Sequence, residues 1–308
     1  MAGGSLGALV DEVEKQPGIL EMFAKSKLPR APKGSIFVGA GDSYAAALAG
    51  FYASGGSCIA LDPGSLASAP EIAAGLEVFF ISVSGRTASN VAAATKVRRL
   101  ARGTTALTAA EDSQLAGLTD HVVRLPMAYA PRTAGMLSFS LSLLAVMKIA
   151  GRGAGCDFRE ALSGARKASV RLSSGKGTTY FLGNSLAYPV ALYAAAKAYE
   201  LLGAKAHAEL LEEFSHLELF SLEKADAVNI FSCFDPSGMS ARLKKALTGQ
   251  GFRTQTIASL GKSDTERLFH SVFAAQLSVL GQARRAGLSE PRFLSAGGRL
   301  RASDAMIY

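Results

Sequence analysis

Two stretches of this chain share one plan. Residues 35–41 (Ser-Ile-Phe-Val-Gly-Ala-Gly) and 178–184 (Thr-Thr-Tyr-Phe-Leu-Gly-Asn) each carry a short apolar run into a glycine turn, and an alanine-rich stretch follows both. A short apolar run that ends in glycine fits a strand buried on both faces, and the helix after it completes the start of a parallel βα unit. A chain that opens two such units is held to an α/β architecture used twice.

The rest of the sequence extends the pattern. Apolar runs at 58–61, 78–83, 104–108 and 121–125 alternate with helical stretches at 43–53, 65–74, 87–100 and 112–116, and a long helix over 133–150 closes the set. Alternation of this kind predicts a parallel sheet covered on both faces. Glycines 151, 153 and 155 mark a linker. Beyond it, helices over 158–173, 188–201, 238–250 and 264–286 alternate with strands over 178–182, 228–232 and 253–257. A leading helical segment over 6–27 is expected to break near Pro17-Gly18, and residues 288–308 show no strong periodicity, as suits a tail that wraps a site. The expected organisation is an N-terminal helix (1–33), a first subdomain (34–151), a second (156–287) and a C-terminal tail (288–308).

Composition limits the function classes. With 308 residues, 49% of them apolar, the chain can bury a core of about two domains. Its three cysteines, Cys58, Cys156 and Cys233, lie far apart without a C-x-x-C pair, which suggests neither a disulfide framework nor zinc; they are read as reduced thiols of a cytoplasmic protein. Acidic Asp11, Glu12 and Glu14 stand where a signal peptide would carry its apolar core, and no apolar run reaches the ~20 residues of a membrane span. The net charge of +8 is spread over scattered lysines and arginines, so a phosphorylated metabolite fits as well as nucleic acid. No nucleic-acid motif accompanies the charge, and no membrane partner, metal or cofactor is expected.

Two groups of residues point to chemistry. Ile81-Ser82-Val83-Ser84-Gly85-Arg86-Thr87 ends an apolar strand and opens a helix, where open α/β sheets bind ligands. Helix-start N–H groups, three hydroxyls and a flexible glycine make a phosphate cradle, although the same residues also suit an N-capping serine turn. Gly41-Asp42-Ser43 points at the same edge. In the second half, Lys197, Glu200, Glu213 and His216 form a polar group that a core does not need. Glu200 shares a face with Lys197 on an otherwise apolar helix, so the pair suits either a tuned general base or an ion pair on a solvated face. His207 and His270 have no evident partner motif and read as structural or surface residues.

These motifs resemble the sugar isomerase (SIS) family, found in phosphoglucose/phosphomannose isomerases and in the isomerase half of glucosamine-6-phosphate synthase. The resemblance spans nearly the whole chain and implies two tandem SIS subdomains, each a flavodoxin-like parallel sheet in a three-layer αβα sandwich. It implies that Ser43, Ser82, Ser84 and Thr87 hold a sugar phosphate, with Gly41 and Gly85 shaping the turns. Glu200 would shuttle a proton between C1 and C2, supported by Lys197. His216, sixteen residues later, would open the sugar ring in the neighbouring subunit's site, which makes a homodimer the functional form. Ala130-Pro131-Arg132 resembles the A-P-R segment of archaeal bifunctional phosphoglucose/phosphomannose isomerases and assigns Arg132 to the enediolate charge. The chain departs from the synthase pattern at Val83, where glutamine is usual, and at Arg86, where glutamate is usual. After Glu290-Pro291-Arg292 it has Ala296, Gly297 and Gly298 where a lysine normally follows.

The implied activity is cofactor-free aldose-ketose isomerisation of a hexose 6-phosphate, between fructose 6-phosphate and glucose 6-phosphate or mannose 6-phosphate. A glucosamine-6-phosphate deaminase shares the base and the phosphate loop. A non-catalytic phosphosugar sensor would keep the loop alone. A complete glutamine-dependent synthase is excluded by the length and by Ala2, which stands where the glutaminase half carries its cysteine nucleophile.

Overall fold

A computed structural model describes residues 5–130, 133–153, 155–170 and 172–308. The chain divides into two compact units, one of Ile19–Ala154 with Ser295–Tyr308, the other of Gly155–Leu294 with the segment up to Gly18.

The first unit is built on a five-stranded parallel sheet of order β2-β1-β3-β4-β5, formed by β1 (Ile36–Val38), β2 (Ile59–Leu61), β3 (Glu77–Ile81), β4 (Gly103–Thr108) and β5 (His121–Arg124). The central strands Ile-Phe-Val and Glu-Val-Phe-Phe-Ile are buried almost throughout, as parallel strands between two helical layers must be. Ile36, Val38, Val78, Phe80 and Ala106 pack on one face against α3 (Pro63–Ser68), α4 (Ala88–Val97) and α5 (Gln114–Leu118) through Leu66, Ala93, Val97 and Leu115. On the other face α2 (Asp42–Ala53) crosses α6 (Leu137–Ile149). Gly50 allows that crossing, since a Cβ there would lie 2.6 Å from both Phe37 and Val146. The long closing helix begins at Leu137 rather than at residue 133, because Gly135 and the backbone around it form a lead-in to the helix.

The second unit repeats the winding with one strand fewer. Its parallel sheet runs β7-β6-β8-β9, formed by β6 (Thr179–Gly183), β7 (Ala206–Glu209), β8 (Ala227–Phe231) and β9 (Arg253–Ile257). Tyr180, Leu182, Val228 and Ile230 meet α9 (Leu211–His216) and α10 (Met239–Gly249) on one face through Leu211, Phe214, Leu243 and Leu247. Helices α7 (Phe158–Ser169), α8 (Ala187–Lys197) and α11 (Asp264–Arg285) pack together as a second layer.

Two sequence expectations are corrected, and one strand is added. Helix α1 (Leu6–Ala24) passes through Pro17 without a break. Leu9, Val13, Gln16, Leu20 and Phe23 form one buried helical stripe, and its burial outweighs the hydrogen bond that proline removes. The tail is a 3₁₀ turn at Arg292–Ser295 followed by α12 (Gly298–Ile307), whose residues are all at least partly exposed; with no buried face there is no period to read. Strand β7 went unpredicted because Ala-His-Ala-Glu buries only its two alanines.

Candidate functional site

In the first unit the strand order reverses between β1 and β3, which lie side by side in the register Val38↔Phe80. The loops that leave their carboxyl ends therefore open one crevice, the position where doubly wound sheets take ligands. Gly39 lets the first loop turn tightly, since a Cβ there would stand 2.4 Å from the Ser43 carbonyl oxygen. Gly41 follows with φ 58°, and Ser43 sits in the first turn of α2. The lead-in to α6 borders the same place, as a Cβ on Gly135 would meet the Asp42 carboxylate at 2.7 Å. Arg132, at the far end of that lead-in, lies outside the described residues.

The loop over 82–87 brings its hydroxyls together. Ser82 Oγ lies 3.4 Å from Thr87 Oγ1 and accepts the Gly85 N–H at 3.2 Å. Ser84 Oγ accepts the Arg86 N–H at 3.2 Å. An oxygen that accepts from its own loop keeps its O–H free to donate to a phosphate. Thr87 is the N-cap of α4 but makes no side-chain cap bond, which leaves the first N–H groups of the helix without a capping oxygen from it. Gly85 has φ 61°, and a Cβ there would fall 2.0 Å from Ser113 Oγ. Ser113 and Thr108, which sequence reading passed over, brace the loop from behind. Thr108 Oγ1 donates to the Val83 carbonyl, and the Gly85 carbonyl accepts from Leu115. Arg86 is exposed. Burial and the hydrogen-bonded Tyr308 raise the Tyr129 phenol against a smaller opposing pull from Arg86, so the end of the tail lies near this loop. The large cavity of this unit, about 1210 Å³, lies along Phe79, Thr105 and Val123, and none of the loop hydroxyls lines it.

In the second unit Lys197 Nζ stands 2.5 Å from Glu200 Oε2. The lysine is 1% exposed and lies 5.3 Å from the centre of the Tyr193 ring; the glutamate side chain is 35% exposed. Glu200 belongs to a π-helical turn, Ala198–Leu202, that ends α8. Such a turn widens the helix by one residue and swings a side chain out of the regular ladder. Gln276 donates to the Tyr193 hydroxyl and accepts from Gln16, so the support behind Lys197 is a chain of buried polar groups. His216, on α9, is 70% exposed and pairs with Glu212 Oε1 at 3.3 Å, and Glu213 is exposed on the same short helix. The structure thus joins Lys197 to Glu200 but gives His216 a surface partner on its own helix. His207, which the sequence left without a partner, has two: Glu218 at 2.9 Å and Glu209 at 3.7 Å.

The matching crevice of the second sheet, between β6 and β8, is made differently. Where the first unit has only glycines with positive φ, the second has Ser185 (φ 52°) and Phe234 (φ 65°) in the left-handed conformation, with Gly238 (φ 66°) at the start of α10. Asp235 Oδ2 accepts the Ser240 N–H at 2.7 Å at the start of α10. Burial alone would raise the Asp235 carboxyl, but hydrogen bonds from Ser240, Ser237 and Met239 outweigh it and hold the group below the usual range. A carboxylate of the chain itself therefore occupies the anion position here.

Two doubly wound parallel sheets, one with a glycine-turned, hydroxyl-lined loop at a helix start, place the chain among the three-layer α/β proteins. Residues 31–150, which contain the first sheet, match the SIS domain family model. A search of curated protein sequences gives no match. Among solved structures, the glucosamine-6-phosphate deaminase of Thermotoga maritima is 23% identical, with a TM-score of 0.73 over 91% of this chain and 95% of that one. The tagatose-6-phosphate ketose/aldose isomerase of Escherichia coli is 17% identical, with a TM-score of 0.69 over 92% and 94%. The C-terminal domain of the glucosamine-fructose-6-phosphate aminotransferase of Francisella tularensis is 17% identical, with a TM-score of 0.68 over 92% and 98%. The chain has the fold of phosphosugar isomerases and deaminases of the SIS type.

Proposed function

We propose that this protein is a phosphosugar aldose-ketose isomerase, interconverting fructose 6-phosphate with glucose 6-phosphate or mannose 6-phosphate through an enediolate. The observation that carries the reading is the Lys197–Glu200 pair: a buried cation beside a carboxylate that is still open to solvent, on a π turn. In this reading Ser43, Ser82, Ser84 and Thr87 hold the phosphate, with Gly41 and Gly85 giving the backbone its approach. Glu200 takes the proton from one of C1 and C2 and returns it to the other, a transfer that needs no cofactor. The oxygen charge of the enediolate falls to Arg132, a preorganised cation. His216 opens the sugar ring; its exposure suits service to the site of a second copy, which would make the active form a homodimer. Among the described residues no helix is long and apolar enough to cross a membrane.

The likeness to the Thermotoga maritima deaminase supports a second reading, release of ammonia from glucosamine 6-phosphate with the same base and loop. A coupled assay on fructose 6-phosphate, read for glucose 6-phosphate and mannose 6-phosphate with and without ammonium, separates the two. Product without ammonium is the result expected of the isomerase. Glucosamine 6-phosphate formed only with ammonium favours the deaminase. Tight binding without turnover makes the chain a sensor.

A further inference from the structure

The second unit holds a cluster that the isomerase chemistry does not use. His207 and Glu209 lie on β7, and Glu218 opens the 3₁₀ turn Glu218–Ser221 that follows α9. His207 Nε2 is 2.9 Å from Glu218 Oε1 and 3.7 Å from Glu209 Oε2, and one ligand atom of each residue lies within 4.8 Å of the others. Four-coordinate zinc, with ligand distances of 2.0–2.2 Å, sets its ligands roughly 3.4 Å apart. The His207 distances fall on either side of that separation. Glu218 Oε2 is buried and has no hydrogen-bond partner among the described residues. An uncompensated buried carboxylate oxygen is costly, and a cation beside it removes the cost. Glu209 is oriented by its other oxygen, which accepts the Leu210 N–H at 2.8 Å. Tyr180 meets the imidazole edge to face with ring centres 6.1 Å apart. The His207 side chain is 44% exposed, so an ion has a path in.

We propose that His207, Glu209 and Glu218 form a site for one divalent transition-metal cation of the zinc or cobalt kind. One imidazole with two carboxylates suits such ions, and three protein ligands leave a position for water. Glu209 ends the strand before α9 and Glu218 begins the turn after it, so the ion pins both ends of the helix that carries Glu213 and His216. Its role is to hold that helix, whatever His216 does.

Cobalt titrated into chelator-treated protein gives the test, followed by its visible absorption and by calorimetry with zinc. One ion per chain is expected, with affinity reduced tenfold or more by His207→Ala and by Glu218→Gln, the latter keeping the shape of the side chain. His216→Ala should bind cobalt as the unaltered protein does. Zinc should raise the melting temperature of the unaltered protein and leave that of His207→Ala unmoved. No uptake at millimolar cobalt, or equal uptake by His207→Ala, would overturn the proposal and leave the three side chains an ion-pair cluster.

Discussion

Lys197 and Glu200 share a 2.5 Å contact but not an environment: the ammonium is sealed in, and the carboxylate that pairs with it still reaches solvent. A base must meet its substrate while its charge is held in place, and this asymmetry allows both. Glu200→Gln is expected to lower turnover of fructose 6-phosphate by ~10²-fold or more. Binding of the sugar phosphate, measured by calorimetry, should change less than about threefold. Loss of binding and turnover together would make Glu200 structural. Lys197→Met replaces the buried cation with an apolar chain of similar length and leaves Glu200 to be solvated by the water it already reaches, so turnover should fall further than the melting temperature.

The phosphate cradle depends on Gly85. Gly85→Ala drives a Cβ against Ser113 at a left-handed φ, which is expected to cost about 1–3 kcal/mol and to weaken sugar-phosphate binding at least tenfold. Ser84→Ala removes a donor without moving the backbone; it should weaken binding with an unchanged melting temperature. Calorimetry with fructose 6-phosphate and with inorganic phosphate reads both effects.

His270 is buried on α11 against Gly164 of α7, and burial lowers its pKa, with only partial opposition from the Gly164 backbone. The folded state therefore stays neutral at a pH where the unfolded chain already takes up a proton. Stability is full above the unfolded value of about 6.5 and is lost as pH falls below it, by up to about 1.4 kcal/mol per pH unit until the folded group titrates. Denaturation followed between pH 7.5 and 5.5 should show this slope in the native sequence and a flatter one in His270→Gln.

If His216 serves a second copy, two inactive proteins can repair each other. Glu200→Gln and His216→Asn should each be nearly inactive alone. Unfolded and refolded together, they should recover about a quarter of the native activity, since half of the pairs are mixed and each mixed pair holds one intact site. No recovery would place His216 in its own chain's chemistry or outside it.

The sheets and the loop over 82–87 were legible because their signals are local: an apolar run, then glycine, then a helix start. Gly39, Gly41 and Gly85 announce turns that only their backbone allows. Glu200 was legible by contrast with the alanines around it, but its π turn was not, since nothing in Ala-Tyr-Glu-Leu-Leu marks a change of helical register. The partners of His207 were hidden because Glu218 arrives from beyond a helix whose length had to be known first. The course of α1 through Pro17 follows from a stripe of contacts made far along the chain, which no local rule for proline contains.

The two crevices differ at their left-handed positions: one has Gly41 and Gly85, and the other has Ser185 and Phe234 beside Gly238. Side chains there keep the backbone from closing on a ligand, and Asp235 already supplies the negative charge that a phosphate would bring. In the proposed reading, repetition of the winding does not double the capacity of the chain. Each polypeptide should titrate with a single equivalent of sugar phosphate, and in the proposed reading the second sheet is the scaffold of the Lys197–Glu200 pair.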